Sequence, residues 1–182
     1  MASASNLEFA LLGLLQQKPQ SGYDLRKAFA KTAMRHYSDS PGSIYPALRR
    51  LQSRGWITAD PKPLDRRGRQ VFHLAPAGGA ALVAWLSQPV TRDDVVWRLS
   101  ELTLRFALMD GNVPRSTAAL FLDQFELELG SYVRELRADF EHSSSVMPMN
   151  TGLLAFQSGV ESMESQLSWA RQARPRLVEE AK

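Results

Sequence analysis

The sequence predicts a mainly α protein in two parts, and three observations carry that expectation. Residues 40–57 read as a capped helix with a stop, since Ser40 can cap, Pro41 suits a first turn and Gly55 can end it. A basic turn, Asp65-Arg66-Arg67-Gly68-Arg69, then leads into an extended run, Gln70-Val71-Phe72-His73-Leu74. Beyond Pro114, apolar residues recur in alternating steps of three and four along two long stretches, the spacing of a coiled-coil seam.

The elements follow in order. A first helix runs from Asn6 to about Gln17, with Leu7, Ala10, Leu11, Leu14 and Leu15 as its apolar face and Lys18-Pro19-Gln20 as its stop. Ser21 caps a second helix, Gly22 to about Thr32, with Leu25, Ala28 and Phe29 facing inward. Residues 33–39 form a polar link. The third helix spans 41–54, and its core stripe is Ile44, Leu48 and Leu51. Its other face carries Ser43, Tyr45, Arg49, Arg50 and Arg54, a set suited to the major groove of DNA. Trp56 and Ile57 open an extended segment that pairs with residues 70–74 as a two-stranded hairpin. Three helices and a hairpin with a basic tip make a winged helix-turn-helix, and Arg66, Arg67 and Arg69 at that tip can reach phosphates or the minor groove.

A fourth helix, about Pro76 to Ser87, closes the first part, with Leu82, Val83 and Leu86 inside and Gly78 and Gly79 allowing close packing. Pro89 to Asp94 is the expected linker. The domains are therefore 1–88, for DNA binding, and 89–182, all-helical and antiparallel coiled-coil-like. In the second, one helix is marked by Val95, Leu99, Leu102, Phe106 and Met109. A long one runs from Pro114 to about His142, with Leu122, Phe125, Leu129, Tyr132 and Leu136 on its seam. After a break at 143–152 a last helix reaches about Gln172, through Leu153, Phe156, Val160, Met163, Leu167 and Ala170. Leu120, Phe121, Leu127, Val133 and Phe140 lie outside the seam and are also apolar. That surplus calls for a second partner, most simply another copy. Dimerisation is assigned to Leu122, Phe125, Leu129, Leu136, Leu153, Phe156, Val160, Met163 and Leu167.

Charge divides the chain the same way. Residues 1–88 carry 12 Lys and Arg against 5 Asp and Glu, and residues 89–182 carry 10 against 14. The basic part suits a polyanion, which the acidic part would repel. A hydrophobic content of 44% with 23% charged residues is that of a globular chain, and no apolar run approaches a membrane span of roughly 20 residues. The chain has no cysteine, which excludes disulfides and thiolate chemistry, and a cytoplasmic location without a signal peptide is expected. It also lacks a Gly-x-Ser-x-Gly elbow, a phosphate-cradling loop ending in Gly-Lys-Ser/Thr and a His-x-x-x-His pair. No enzyme activity, cofactor or metal is expected.

The chain resembles the PadR family of bacterial transcriptional regulators. The resemblance rests on Ala10-Leu11-Leu12-Gly13-Leu14-Leu15, Ser21-Gly22-Tyr23-Asp24-Leu25, Gly42-Ser43-Ile44-Tyr45-Pro46-Ala47-Leu48-Arg49-Arg50-Leu51 and Gly55-Trp56-Ile57. It covers residues 6–88, and the helical half resembles the longer, AphA-like form by pattern. It implies a homodimer that binds an inverted repeat in double-stranded DNA, usually as a repressor, and is released in some members by a phenolic or multidrug-like ligand. It adds Tyr23 to Ser43, Tyr45, Arg49 and the wing arginines as implied DNA contacts. The sequence departs from the family where Ala75 replaces a capping threonine and where Gln52 stands in place of an acidic residue. Trp85, Trp97, Phe106 and Trp169 are candidates to line a cavity for a small aromatic ligand. The alternative function is a coiled-coil interaction scaffold whose winged helix no longer binds DNA.

Overall fold

The computed structural model describes residues 4–31, 41–61 and 69–179. The cap expected at Ser40, the 33–39 link, and Arg66 and Arg67 of the wing tip lie outside the described residues. The chain divides into two compact units, residues 1–88 with 107–112, and residues 89–106 with 113–182.

In the first unit, α1 (Asn6–Gln17) starts at Ser5. The Glu8 N–H donates to the Ser5 hydroxyl at 3.3 Å, and the Ser5 N–H donates to the Glu8 carboxylate at 2.9 Å. This reciprocal cap satisfies two end donors at once. The helix is buried from Leu7 through Leu15, wider than the stripe that the spacing predicts. At its far end the Gln20 amide donates to the Leu14 carbonyl at 2.9 Å, serving an end acceptor that the helix leaves open. Next come β1 (Gln20–Ser21) and α2 (Gly22–Lys31), with the Asp24 N–H donating to the Ser21 hydroxyl at 3.2 Å as expected of a cap.

The third helix, α3 (Pro41–Ser53), buries Ile44, Ala47, Leu48 and Leu51. Gly55, at φ +68°, ends it. The Gly55 N–H donates to the Gln52 carbonyl at 2.9 Å and the Trp56 N–H to the Leu51 carbonyl at 3.0 Å. That double closure needs a left-handed residue, which glycine supplies without strain. β2 (Ile57–Ala59) and β3 (Val71–Leu74) pair antiparallel with Ile57 opposite Leu74. β3 also pairs with β1, Gln20 opposite Phe72, so the sheet has three strands in the order β1-β3-β2 where the sequence predicts two. Two residues are too few for alternation to mark a strand. α4 (Pro76–Leu86) buries Leu82 and Leu86, but Val83, expected inside, is exposed. Gly78 packs against the main chain at Trp56, as its lack of a side chain suggests, whereas Gly79 has ordinary space around it.

The second unit corrects two boundaries. The helix expected over 95–109 is two, α5 (Arg92–Trp97) and α6 (Leu99–Ala107), parted where Arg98 leaves helical geometry at φ −136° and ψ 28°. The expected linker is helical from Arg92, because Thr91 and Asp94 form a capping box. Burial works against the charged Asp94 carboxyl. Hydrogen bonds from Thr91 and Arg98 outweigh that effect and hold it below the usual carboxylate range.

The two long helices, α7 (Arg115–Val146) and α8 (Thr151–Glu179), both outlast their apolar repeats. Ser144 and Ser145, in the last turn of α7, donate to the carbonyls of Glu141 and His142, and Pro175 sits inside α8. The helices pack antiparallel. Phe140 meets Phe156 edge-on at 5.8 Å, Arg171 bonds Glu126 at 2.8 Å, and Arg174 bonds Asp123, so one number rises as the other falls.

This packing occupies the expected dimer seam within one chain. Leu122, Phe125, Leu129, Leu153, Val160 and Leu167 are buried within one chain, and Leu136, Phe156 and Met163 are half-buried. The seam holds the hairpin together within one chain. The surplus positions separate as well. Phe121 and Val133 are inside, whereas Leu120 and Leu127 stay 56% and 69% exposed.

Arg105 is the one charged side chain buried in the second unit among the described residues, at 4% exposure. Its guanidinium lies 4.7 Å from the Phe121 ring centre, and its Nε and Nη2 have no hydrogen-bond partner among the described residues. Burial lowers its pKa from the ordinary arginine value, and the Asp94 charge offsets this only in part. Two buried guanidinium nitrogens without a hydrogen-bond partner cost more than the apolar side chain that could replace them. Arg105→Met is therefore expected to stabilise the protein by about 1–4 kcal/mol in urea unfolding. A lowered midpoint would show that the guanidinium is well paired in solution.

Candidate nucleic-acid interface

The outward face of α3 presents Tyr45, Arg49 and Gln52, spaced four and three residues apart on consecutive turns. Tyr45 is exposed, and its ring lies close over the start of α2, where a Cβ on Gly22 would come within 2.8 Å of the ring edge. Gly22 thus sets how near the ring can approach. Tyr23, the next residue, is surrounded by cations. Lys27 Nζ is 5.0 Å, Arg26 Cζ 5.5 Å and Arg69 Cζ 5.9 Å from its ring centre. These distances suit cation–π attraction, which also gathers positive charge around an exposed hydroxyl.

A recess of about 400 Å³ opens between α3 and the base of the wing. It brings together four of the residues singled out in the sequence, Tyr23, Tyr45, Arg49 and Arg69. Gln52 and Gln70 also line it, and the sequence reading gave neither a contact role. Gln52 was within reach of that reading, since it falls on the helix face that Arg49 marks. Nothing in the local sequence marks Gln70, which enters through strand pairing. Ser43 lies half-buried in the first turn of α3, outside the recess lining.

The three arginines of this region differ in their partners. Arg49 is exposed and makes no hydrogen bond or ion pair among the described residues. Arg50 Nε lies 2.6 Å and Arg54 Nη1 3.4 Å from the Glu8 carboxylate, which is only 1% exposed. Arg50, expected to touch DNA, is therefore held by the core helix. A buried carboxylate needs such partners, and removing them would leave it uncompensated. Spacing places Arg49 and Arg50 side by side, but only the fold shows which of them Glu8 takes.

Of the aromatic residues assigned to a ligand cavity, Trp85 belongs to the first unit and Trp97, Phe106 and Trp169 to the second. Trp85 stacks on Phe9 at 4.5 Å between ring centres, within the first unit. Trp97 is 80% exposed. Only Phe106 and Trp169 meet, edge to face at 5.4 Å, and with Gln172 and Arg176 they line a cleft of about 290 Å³ in the second unit. Tryptophan content alone could not separate the core rings from the exposed one.

Three helices, a small sheet and a basic face on the third helix define a winged-helix protein of the DNA-binding class. Residues 11–84 match the transcriptional regulator PadR-like family. The transcriptional regulator Rv3488 of Mycobacterium tuberculosis is 45% identical over 46 residues, 25% of this chain and 43% of that protein. The negative transcriptional regulator PadR of Bacillus subtilis is 26% identical over 171 residues, 90% of this chain and 92% of that protein. Crystal structures of Bacillus subtilis PadR with operator DNA and with p-coumaric acid are similar at 22% identity. The first covers 94% of this chain and 98% of that one at a TM-score of 0.43, the second 97% and 98% at 0.41. No helix among the described residues is long and apolar enough to cross a membrane.

Proposed function

We propose that this protein is a PadR-like repressor that binds an inverted-repeat promoter site as a homodimer. In this reading residues 1–88 hold the DNA and residues 89–182 join the two copies. The observation that carries the proposal is the unpaired Arg49 guanidinium, set beside Tyr23, Tyr45 and Arg69 in one recess. An exposed arginine on a recognition helix, free of internal partners, is available for the bidentate contact to guanine that dominates specific readout. Tyr23, Ser43, Tyr45 and the wing arginines Arg66, Arg67 and Arg69 then serve the phosphates. The Bacillus subtilis relative is a negative transcriptional regulator with a known operator complex, which supports the same reading.

Fluorescence anisotropy of the purified protein with DNA from upstream of its own gene tests it, across salt and against a scrambled duplex. Preference for the native duplex supports the repressor. No binding at low salt overturns it in favour of an interaction scaffold.

Leu120 and Leu127, two turns apart on α7 and exposed, support the self-association face. Leu127→Glu is expected to shift the mass measured by light scattering from dimer to monomer while leaving the circular dichroism unchanged. An unaltered dimer would place the interface elsewhere.

A small aromatic effector is part of this reading too. Its support is the cleft between Phe106 and Trp169, with Arg176 able to meet a carboxylate, together with the p-coumaric acid complex of the relative.

A further inference from the structure

Two amides line the recess between α3 and the wing base, and they are not equivalent. The Gln70 amide donates to the Asp60 carbonyl at 3.2 Å, which fixes it to the turn after β2. The Gln52 amide is exposed and makes no hydrogen bond among the described residues. It stands on the same face as Arg49, three residues further along α3. Three residues advance an α-helix by about 4.5 Å, close to the rise of one base-pair step, about 3.4 Å.

We infer that Gln52 is a specificity-determining residue that reads an adenine beside the guanine contacted by Arg49. The inference rests on the DNA-binding function proposed above and adds to it the second base of the recognised step. A phosphate only accepts hydrogen bonds, so it uses half of what a free amide offers. Adenine N7 and N6 present an acceptor and a donor together in the major groove, and a glutamine side chain matches both. The neighbouring cations Arg50 and Arg54 are drawn to Glu8, so the free polar groups of this helix face are Tyr45, Arg49 and Gln52.

The test is selection from a pool of randomised duplexes, followed by sequencing, with the wild type, Gln52→Ala and Gln52→Glu in parallel. The wild type is expected to enrich adenine at one position per half-site, next to a guanine. Gln52→Ala is expected to lose that preference alone, with roughly ten- to a hundredfold weaker binding to the wild-type site. Gln52→Glu is expected to turn the same position toward cytosine, whose N4 amine donates to a carboxylate. Identical enriched sites for all three proteins would overturn the role of Gln52 and leave the DNA-binding function standing. A wild type that enriches nothing would overturn both.

Discussion

Arg49→Ala is expected to weaken binding to the native operator by about 1–3 kcal/mol and to relax the preference at a single base pair of each half-site. The size follows from the setting of Arg49, an exposed guanidinium with no internal partner among the described residues. Removing it costs the fold nothing that can be named, so the loss falls on the complex. Arg50→Ala provides the contrast. Its guanidinium is tied to Glu8, so that change is expected to lower the unfolding midpoint and leave base preference intact. Anisotropy titrations against single-base operator variants separate the two. If Arg49→Ala weakened every duplex equally, Arg49 would be a phosphate contact and the base-reading role would fail.

Adjacent glycines of α4 are expected to respond to the same change with opposite sign. A Cβ on Gly78 would stand 2.1 Å from the Trp56 carbonyl oxygen and 2.9 Å from the Trp56 carbonyl carbon. That oxygen already accepts from the Ala75 N–H at 3.0 Å, which anchors the helix start to the chain before β2. The obstacle is main chain, so a rotamer change cannot relieve it. Gly78→Ala is expected to destabilise the protein by about 3 kcal/mol, the upper end of ordinary overpacking. At Gly79 the nearest atom is 3.8 Å away, an ordinary contact. There alanine is expected to add about 0.5–1 kcal/mol, because glycine loses more backbone freedom in a helix. Urea unfolding of both variants decides the matter, and equal effects of the same sign would refute the geometric explanation.

Legibility followed the range of the forces involved. The bounds of α1 were readable because Ser5, Glu8 and the stop at Lys18-Pro19 act within a few residues. The end of α3 was readable at Gly55 for the same reason. The split at Arg98 was not, since the apolar spacing of Val95, Leu99 and Leu102 runs unbroken across it while the Thr91 cap commits the chain to an earlier start. The seam of α7 and α8 was legible in the repeat, but whether it serves one chain or two was not. A stripe of leucines has the same period whether it packs on its own chain or on another. At the candidate site, residue type and helix face located Arg49 and Tyr45. The pairing of Arg50 and the confinement of Gln70 depend on Glu8 and Asp60, 42 and 10 residues distant. Contacts at such separations leave no periodic trace.

The Glu8 carboxylate bears on how fast a target is found. Travel along DNA before recognition is driven by cations that trade with the counterions of the phosphates, whatever the base sequence. By pairing with Arg50 and Arg54, Glu8 offsets one of their two positive charges and so weakens that exchange beside Arg49. In the proposed regulator, sliding then falls to Arg26, Lys27 and Arg69 around Tyr23 together with the wing arginines Arg66 and Arg67. The time spent at any one site is left to Arg49 and its neighbours, so search speed and residence can be adjusted by different residues.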